Sequence, residues 1–210
     1  MEHYMKIQPK WLLAAAVALT ASVALPGPAV ADPGDSTDVE VTVEIAPIEE
    51  PGVLAMSIAA DSVALSEDGS TLETRQFTGT LPTVTVTDTR TLEEVPNGAA
   101  WAVLGNASDF VGDAGQAPIS AGHLGWKPHL IDGGETGLVA EGEEVVTVLD
   151  EPTQPGNNVG LVDQELLAST FDSGAVAGGA YTVNADLFLR TPADVAAGSY
   201  ASTLTLSLFE

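Results

Sequence analysis

Apolar and polar residues alternate with period two in short bursts along this chain, and that pattern restricts its fold more than any other feature. Val39-Glu40-Val41-Thr42-Val43-Glu44-Ile45 places every apolar residue on an odd position. In a pleated strand these side chains share one face and leave the other to water; a helix would scatter them around its circumference. Leu81 to Arg90 repeats the device, with Val84 and Val86 on one face and Thr83, Thr85, Thr87 and Thr89 on the other. Gly, Pro, Asn and Asp punctuate the bursts, as turns between strands require. Lys and Arg, both good helix formers, total only 6 in 210 residues, so a helical fold has little to build on.

Read along the chain, the pattern predicts strands at 39–45, 52–58, 71–78, 81–90, 99–106, 126–131, 144–149, 181–190 and 199–209. In the second of these, Leu54, Met56 and Ile58 share a side. Asp68-Gly69 and Pro96-Asn97-Gly98 read as turns. Residues 108–122 and 150–160 read as long surface loops, and 161–170 as a short helical turn. The outward threonines of 83–89 form a single hydroxyl row. An ice-binding face needs such rows on several strands, so ordinary β propensity accounts for this one. The expected fold is all-β, a single β-sandwich-like domain of about 8–10 strands.

The first residues read as an export signal. Lys6 and Lys10 precede an uncharged stretch, Trp11 to Leu25, followed by Pro26-Gly27-Pro28 and Ala29-Val30-Ala31. About 15 apolar residues fall short of the roughly 20 that span a bilayer, so cleavage after Ala31 is expected. Residues 1–31 are then a signal peptide and 32–210 the mature domain, secreted or associated with the cell wall. No transmembrane anchor is expected in the mature chain.

The chain holds no cysteine, so its core must suffice without disulfides. It carries 30 acidic and 6 basic residues. Residues 1–31 contain Glu2, Lys6 and Lys10, so the mature chain keeps 29 acidic against 4 basic residues, a formal charge of −25. Such a charge repels nucleic acid, anionic lipid and polyanionic wall polymers, which excludes a nucleic-acid partner. Solubility accounts for most of it, and Ca2+ is the one cofactor it leaves open.

Enzymatic motifs are missing. There is no Gly-x-Ser-x-Gly elbow and no phosphate-cradling glycine loop, and no pair of carboxylates stands out among the many. His123 and His129 flank Trp126, but no third residue is spaced to complete a metal site. The chain is therefore read as non-enzymatic, with no metal site. Asp88 and Arg90 share the parity of the inward Val84 and Val86, which predicts a partly buried polar pair at the end of the sandwich. Trp101, among Ala99, Ala100, Ala102 and Val103, reads as core. Trp126, beside Gly125, Lys127 and Pro128, reads as partly exposed. Either indole would suit a sugar ring if it faced solvent.

The order of these motifs resembles the WxL-type surface domains of Gram-positive bacteria, in a divergent, actinobacterial-looking form. The matching pieces are Gly79 to Arg90, Trp101-Ala102-Val103 with Asp109-Phe110 following, Pro192-Ala193, and Ala197 to Leu206. The resemblance implies a β-sandwich-like domain held non-covalently on the cell wall with peptidoglycan as ligand, and makes Trp101, Trp126 and Tyr200 the candidate binding residues. The sequence departs at both Trp-x-Leu positions: the first is Trp101-Ala102-Val103, and the second is Leu206-Ser207-Leu208, without a tryptophan. The expected function is a cell-surface binding domain for cell-wall glycan or other secreted surface proteins. The alternative is a structural subunit that self-associates by edge-strand pairing, through the alternating strands 39–45 and 199–209.

Overall fold

The computed structural model describes residues 42–45 and 50–210. The chain divides into two units, Met1–Pro47 and Ile48–Glu210. In the first, residues 42–45 belong to no strand or helix, and Val43 and Ile45 are 81% and 84% exposed. The rest of the expected strand 39–45 lies outside the described residues, as does the expected signal peptide.

The second unit is all-β, with 42% of the chain in strand and 4% in helix. Its strands are β1 (Leu54–Ile58), β2 (Ser66–Glu67), β3 (Thr74–Thr80), β4 (Val84–Asp88), β5 (Trp101–Ala107), β6 (Val111–Gly112), β7 (Leu124–Asp132), β8 (Val139–Glu141), β9 (Glu165–Thr170), β10 (Ala180–Pro192), β11 (Tyr200–Ala201) and β12 (Leu204–Phe209). One short helix, α1 (Ser173–Val176), follows β9.

Two sheets form the layers. The first has the order β1-β4-β10-β3-β2, and β7 also pairs with β10. The 13-residue β10 organises it: β3 and β4 lie end to end along one edge of β10, and β7 runs along the other. The second sheet has the order β12-β5-β9-β8, and β6 and β11 form a separate small pair. Val84, Val86, Val183 and Leu187 from the first sheet meet Trp101, Val103, Leu167 and Ala168 from the second in one buried core. Burial in β4 and β5 alternates strictly, as the sequence pattern requires.

Four expectations are corrected. Residues 144–149 are not a strand. Val145 makes only an isolated bridge to Trp126, and Thr147 turns the chain by donating its N–H (2.9 Å) and Oγ1 (2.7 Å) to the Asp150 carboxylate. Residues 161–170 contain strand β9 instead of a helical turn, because β9 pairs with β5 on one side and β8 on the other, and this pairing overrides the helix preference of Glu165-Leu166-Leu167-Ala168. Residues 108–122 are more than a surface loop. Phe110 and Ile119 bridge each other and are buried, and a 3-10 turn, Ala121–His123, is capped by the Ser120 side chain. The strand expected over 199–209 breaks at Ser202-Thr203. There Ser202 Oγ donates to the Ser108 carbonyl at 2.6 Å and Thr203 N–H donates to Ser108 Oγ at 3.0 Å, so the chain changes partners from β6 to β5.

Candidate functional site: the open seam between the sheets

The two long sides of the sandwich differ. On one side β7 links the layers: Trp126 bridges Val145, and Leu130 N–H donates to the Glu141 carboxylate of β8. On the other side β1 pairs only with β4, and β12 only with β5. Each presents an unpaired strand edge, and the layers are tied on this side by Arg90, just beyond β4, donating to Glu210, just beyond β12. The seam between them is a groove of about 500 Å³ walled by Met56, Ile58, Leu81, Leu204 and Leu206.

Val63, Ser202 and Leu204 also line a second cavity, of about 670 Å³. Phe77, Phe110, Ile119, Leu187 and Leu189 line it deeper down. Tyr200 lines this cavity too, with its hydroxyl tied to the Ala196 carbonyl at 2.8 Å. Arg75 stands there bonded to Glu67 through both Nε (3.2 Å) and Nη2 (2.9 Å). The lining residue Thr191 is fully buried, and its hydroxyl has no hydrogen-bond partner among the described residues. A groove that sets Met56, Ile58, Leu204 and Leu206 beside the polar Asp61 and Thr203, and is bordered by free backbone N–H and C=O groups, has the chemistry to receive an extended peptide: the edges supply ladder hydrogen bonds and the apolar lining takes alternate side chains.

The tryptophans lie elsewhere. Trp101 is 1% exposed, within 5.9 Å of the Tyr181 ring, and belongs to the core as expected. Trp126 is 0% exposed, which corrects the expectation of partial exposure. Its position on β7 is covered on both sides, by Leu187 of β10 and by the Val145 bridge, and its indole occupies the space in front of Gly105. A Cβ on Gly105 would stand 2.6 Å from the ring, so glycine in the middle of β5 is what seats it. Stacking on a sugar needs an exposed indole face, and neither residue has one. Of Trp101, Trp126 and Tyr200, it is Tyr200 that borders the second cavity.

Asp88 and Arg90 form a buried cluster at one end of the sandwich. The Asp88 carboxylate accepts from Arg90 Nε at 2.9 Å, from Nη2 at 2.8 Å and from its backbone N–H at 3.0 Å. Arg90 also donates to both carboxylate oxygens of Glu210, each at 2.8 Å. Asp88 is 1% exposed and Arg90 9%. The hydrogen bonds from Arg90 hold both the Asp88 and Glu210 carboxyls below their ordinary range, and the two carboxylates raise the guanidinium. Nearby, backbone N–H groups of Thr91 and Gly52 lower Glu94. Burial raises Tyr181, with the Asp88 charge adding to it. The cluster is saturated by its own members, which suits a structural clamp. The sequence hid Glu210, though it shares the parity of Leu204, Leu206 and Leu208.

The histidines do not converge. His123 Nδ1 meets the Arg190 carbonyl at 2.7 Å, and His129 Nε2 meets Asp186 Oδ2 at 3.0 Å. No group of three His, Asp or Glu residues suited to a metal occurs among the described residues. None of the described helices is long and apolar enough to cross a membrane. No protein-family model matches the chain, and no curated protein or solved structure is significantly similar to it.

Proposed function

We propose that this chain is an exported, non-enzymatic surface module that binds a partner protein by accepting an extended segment into the seam between β1 and β12. One observation carries the reading: two unpaired strand edges border one groove that Met56, Ile58, Leu204 and Leu206 help to wall. Backbone pairing supplies affinity at such an edge, and the pockets for alternate side chains supply selectivity. The formal charge of −25 on residues 32–210, from 29 acidic and 4 basic residues, disfavours anionic wall polymers and nucleic acid as partners. Export rests on the sequence pattern of residues 1–31. Wall glycan, which the WxL-type resemblance implies, is the competing ligand, but the burial of Trp101 and Trp126 removes its stacking platform.

The test is amide hydrogen exchange on residues 32–210, with either short peptides of alternating Val and Thr or purified peptidoglycan stripped of anionic polymer. Peptide-dependent protection of the β1 and β12 amides is the expected result. Binding to peptidoglycan with those amides unprotected, and no response to any peptide, would transfer the function to glycan.

A further inference from the structure

Resting on the reading of the seam as a strand acceptor, we propose that its occupant is the segment Val39–Ile45 of a second copy of this chain, so that copies join head to tail.

The groove and the segment match in pattern. A strand lying between β1 and β12 turns one face to Met56, Leu81, Leu204 and Leu206 and the other to solvent. Val39, Val41, Val43 and Ile45 supply the first face, and Glu40, Thr42 and Glu44 the second. They also match in length. Seven extended residues cover about 23 Å at roughly 3.3 Å each, and the acceptor edges are strands of 5 and 6 residues. Finally, Val43 and Ile45 stand exposed and outside any ladder, although β-branched residues in strict alternation are what a half-buried strand is made of.

Two consequences distinguish this arrangement from other association. The donor segment and the acceptor seam are different surfaces of one chain, so the contact is heterologous and each added copy offers a new free end. The copies also repel, with a formal −25 on each mature chain. Assembly therefore strengthens with ionic strength, because salt screens charge repulsion and leaves the apolar contact intact.

The experiment is light scattering of residues 32–210 over a range of concentration and of NaCl from roughly 0.05 to 1 M. Wild-type chain should form species that grow with both. Val43→Lys removes the donor and Ile58→Lys, at an exposed edge position, obstructs the acceptor, so each variant alone should stay monomeric. Mixed together they should form a dimer and nothing larger, because one intact donor and one intact acceptor remain. A peptide of residues 38–46 should bind the Val43→Lys chain and lose at least about tenfold in affinity for the Ile58→Lys chain. Wild-type chain that stays monomeric throughout, or assembly that survives Val43→Lys, overturns the proposal. If unrelated alternating peptides still protect β1 and β12 in that case, the seam remains a strand acceptor and only the identity of the donor falls. If no peptide protects them, both readings fall.

Discussion

Arg90 and Glu210 face each other across the two layers of the sandwich, one just beyond the end of β4 and the other just beyond β12, joined by two hydrogen bonds of 2.8 Å. Asp88 holds the same guanidinium from its own strand end. The cluster therefore ties β12 to the opposite sheet at one end of a seam that is otherwise open.

Removing the cation should be costly. Arg90→Ala leaves the Asp88 carboxylate buried with its main partner gone, and stability should fall by about 3–5 kcal/mol. Glu210→Gln keeps the shape and faces partly to solvent, so it should cost only about 1 kcal/mol. Urea unfolding of the two variants gives both values.

The cluster also sets a direction for acid sensitivity. Asp88 and Glu210 have folded-state pKa values below their unfolded ones. The stability they contribute is present above the ordinary carboxylate range, near pH 4, and is lost as pH falls through their lowered values. In Arg90→Met the sign should invert for Asp88: buried without a cation, it prefers the protonated form, so the variant gains stability as pH falls. Urea midpoints from about pH 7 to pH 2.5 would show the two slopes.

Glu165 makes the opposite contribution. Burial, with the nearby Asp163 charge, raises its pKa. Its charged form is penalised in the folded protein at neutral pH, and the penalty disappears once it is protonated. Glu165→Gln should raise Tm at pH 7 and have little effect below the carboxylate range. Calorimetry at the two pH values measures the difference.

Gly105→Ala should cost about 1–3 kcal/mol, because the added methyl meets the Trp126 ring at 2.6 Å and Leu206 Cδ2 at 2.9 Å. Leu206 also walls the seam, so the same substitution should weaken binding of the 38–46 peptide. Gly98→Ala, where an added Cβ meets nothing within 4 Å, serves as a control that strains only its turn backbone.

The β texture and most strand positions could be read from alternation. Val84, Val86, Asp88 and Arg90 sit on the face their parity assigns, because one wet and one dry face write themselves into period two. Strand β9 was illegible for the converse reason. It is central in its sheet, and Leu166-Leu167-Ala168 is an apolar run with no period to distinguish strand from helix. The neighbours of Trp126, Gly125 and Lys127, suggest exposure, whereas its burial depends on Val145 and Gly105, far off in sequence. The seam was only half visible. Of the two alternating segments expected to offer edges, 199–209 holds the edge strand β12, but the other edge is β1 instead of 39–45; the meeting of Met56 and Ile58 with Leu204 and Leu206 depends on which strands pair, and pairing is not a local property.

The burial of Trp101 and Trp126 gives the protein a built-in optical probe. In a chain beginning at Asp32 these are its only indoles, and both are enclosed by core atoms. Their emission belongs at the blue end of the tryptophan range and should shift red only when the core opens. Trp126 touches the space beside Leu206, one wall of the seam, whereas Trp101 lies against Tyr181. A strand entering the seam should therefore register in one fluorophore and leave the other unchanged, so the light from a single cuvette separates docking from unfolding.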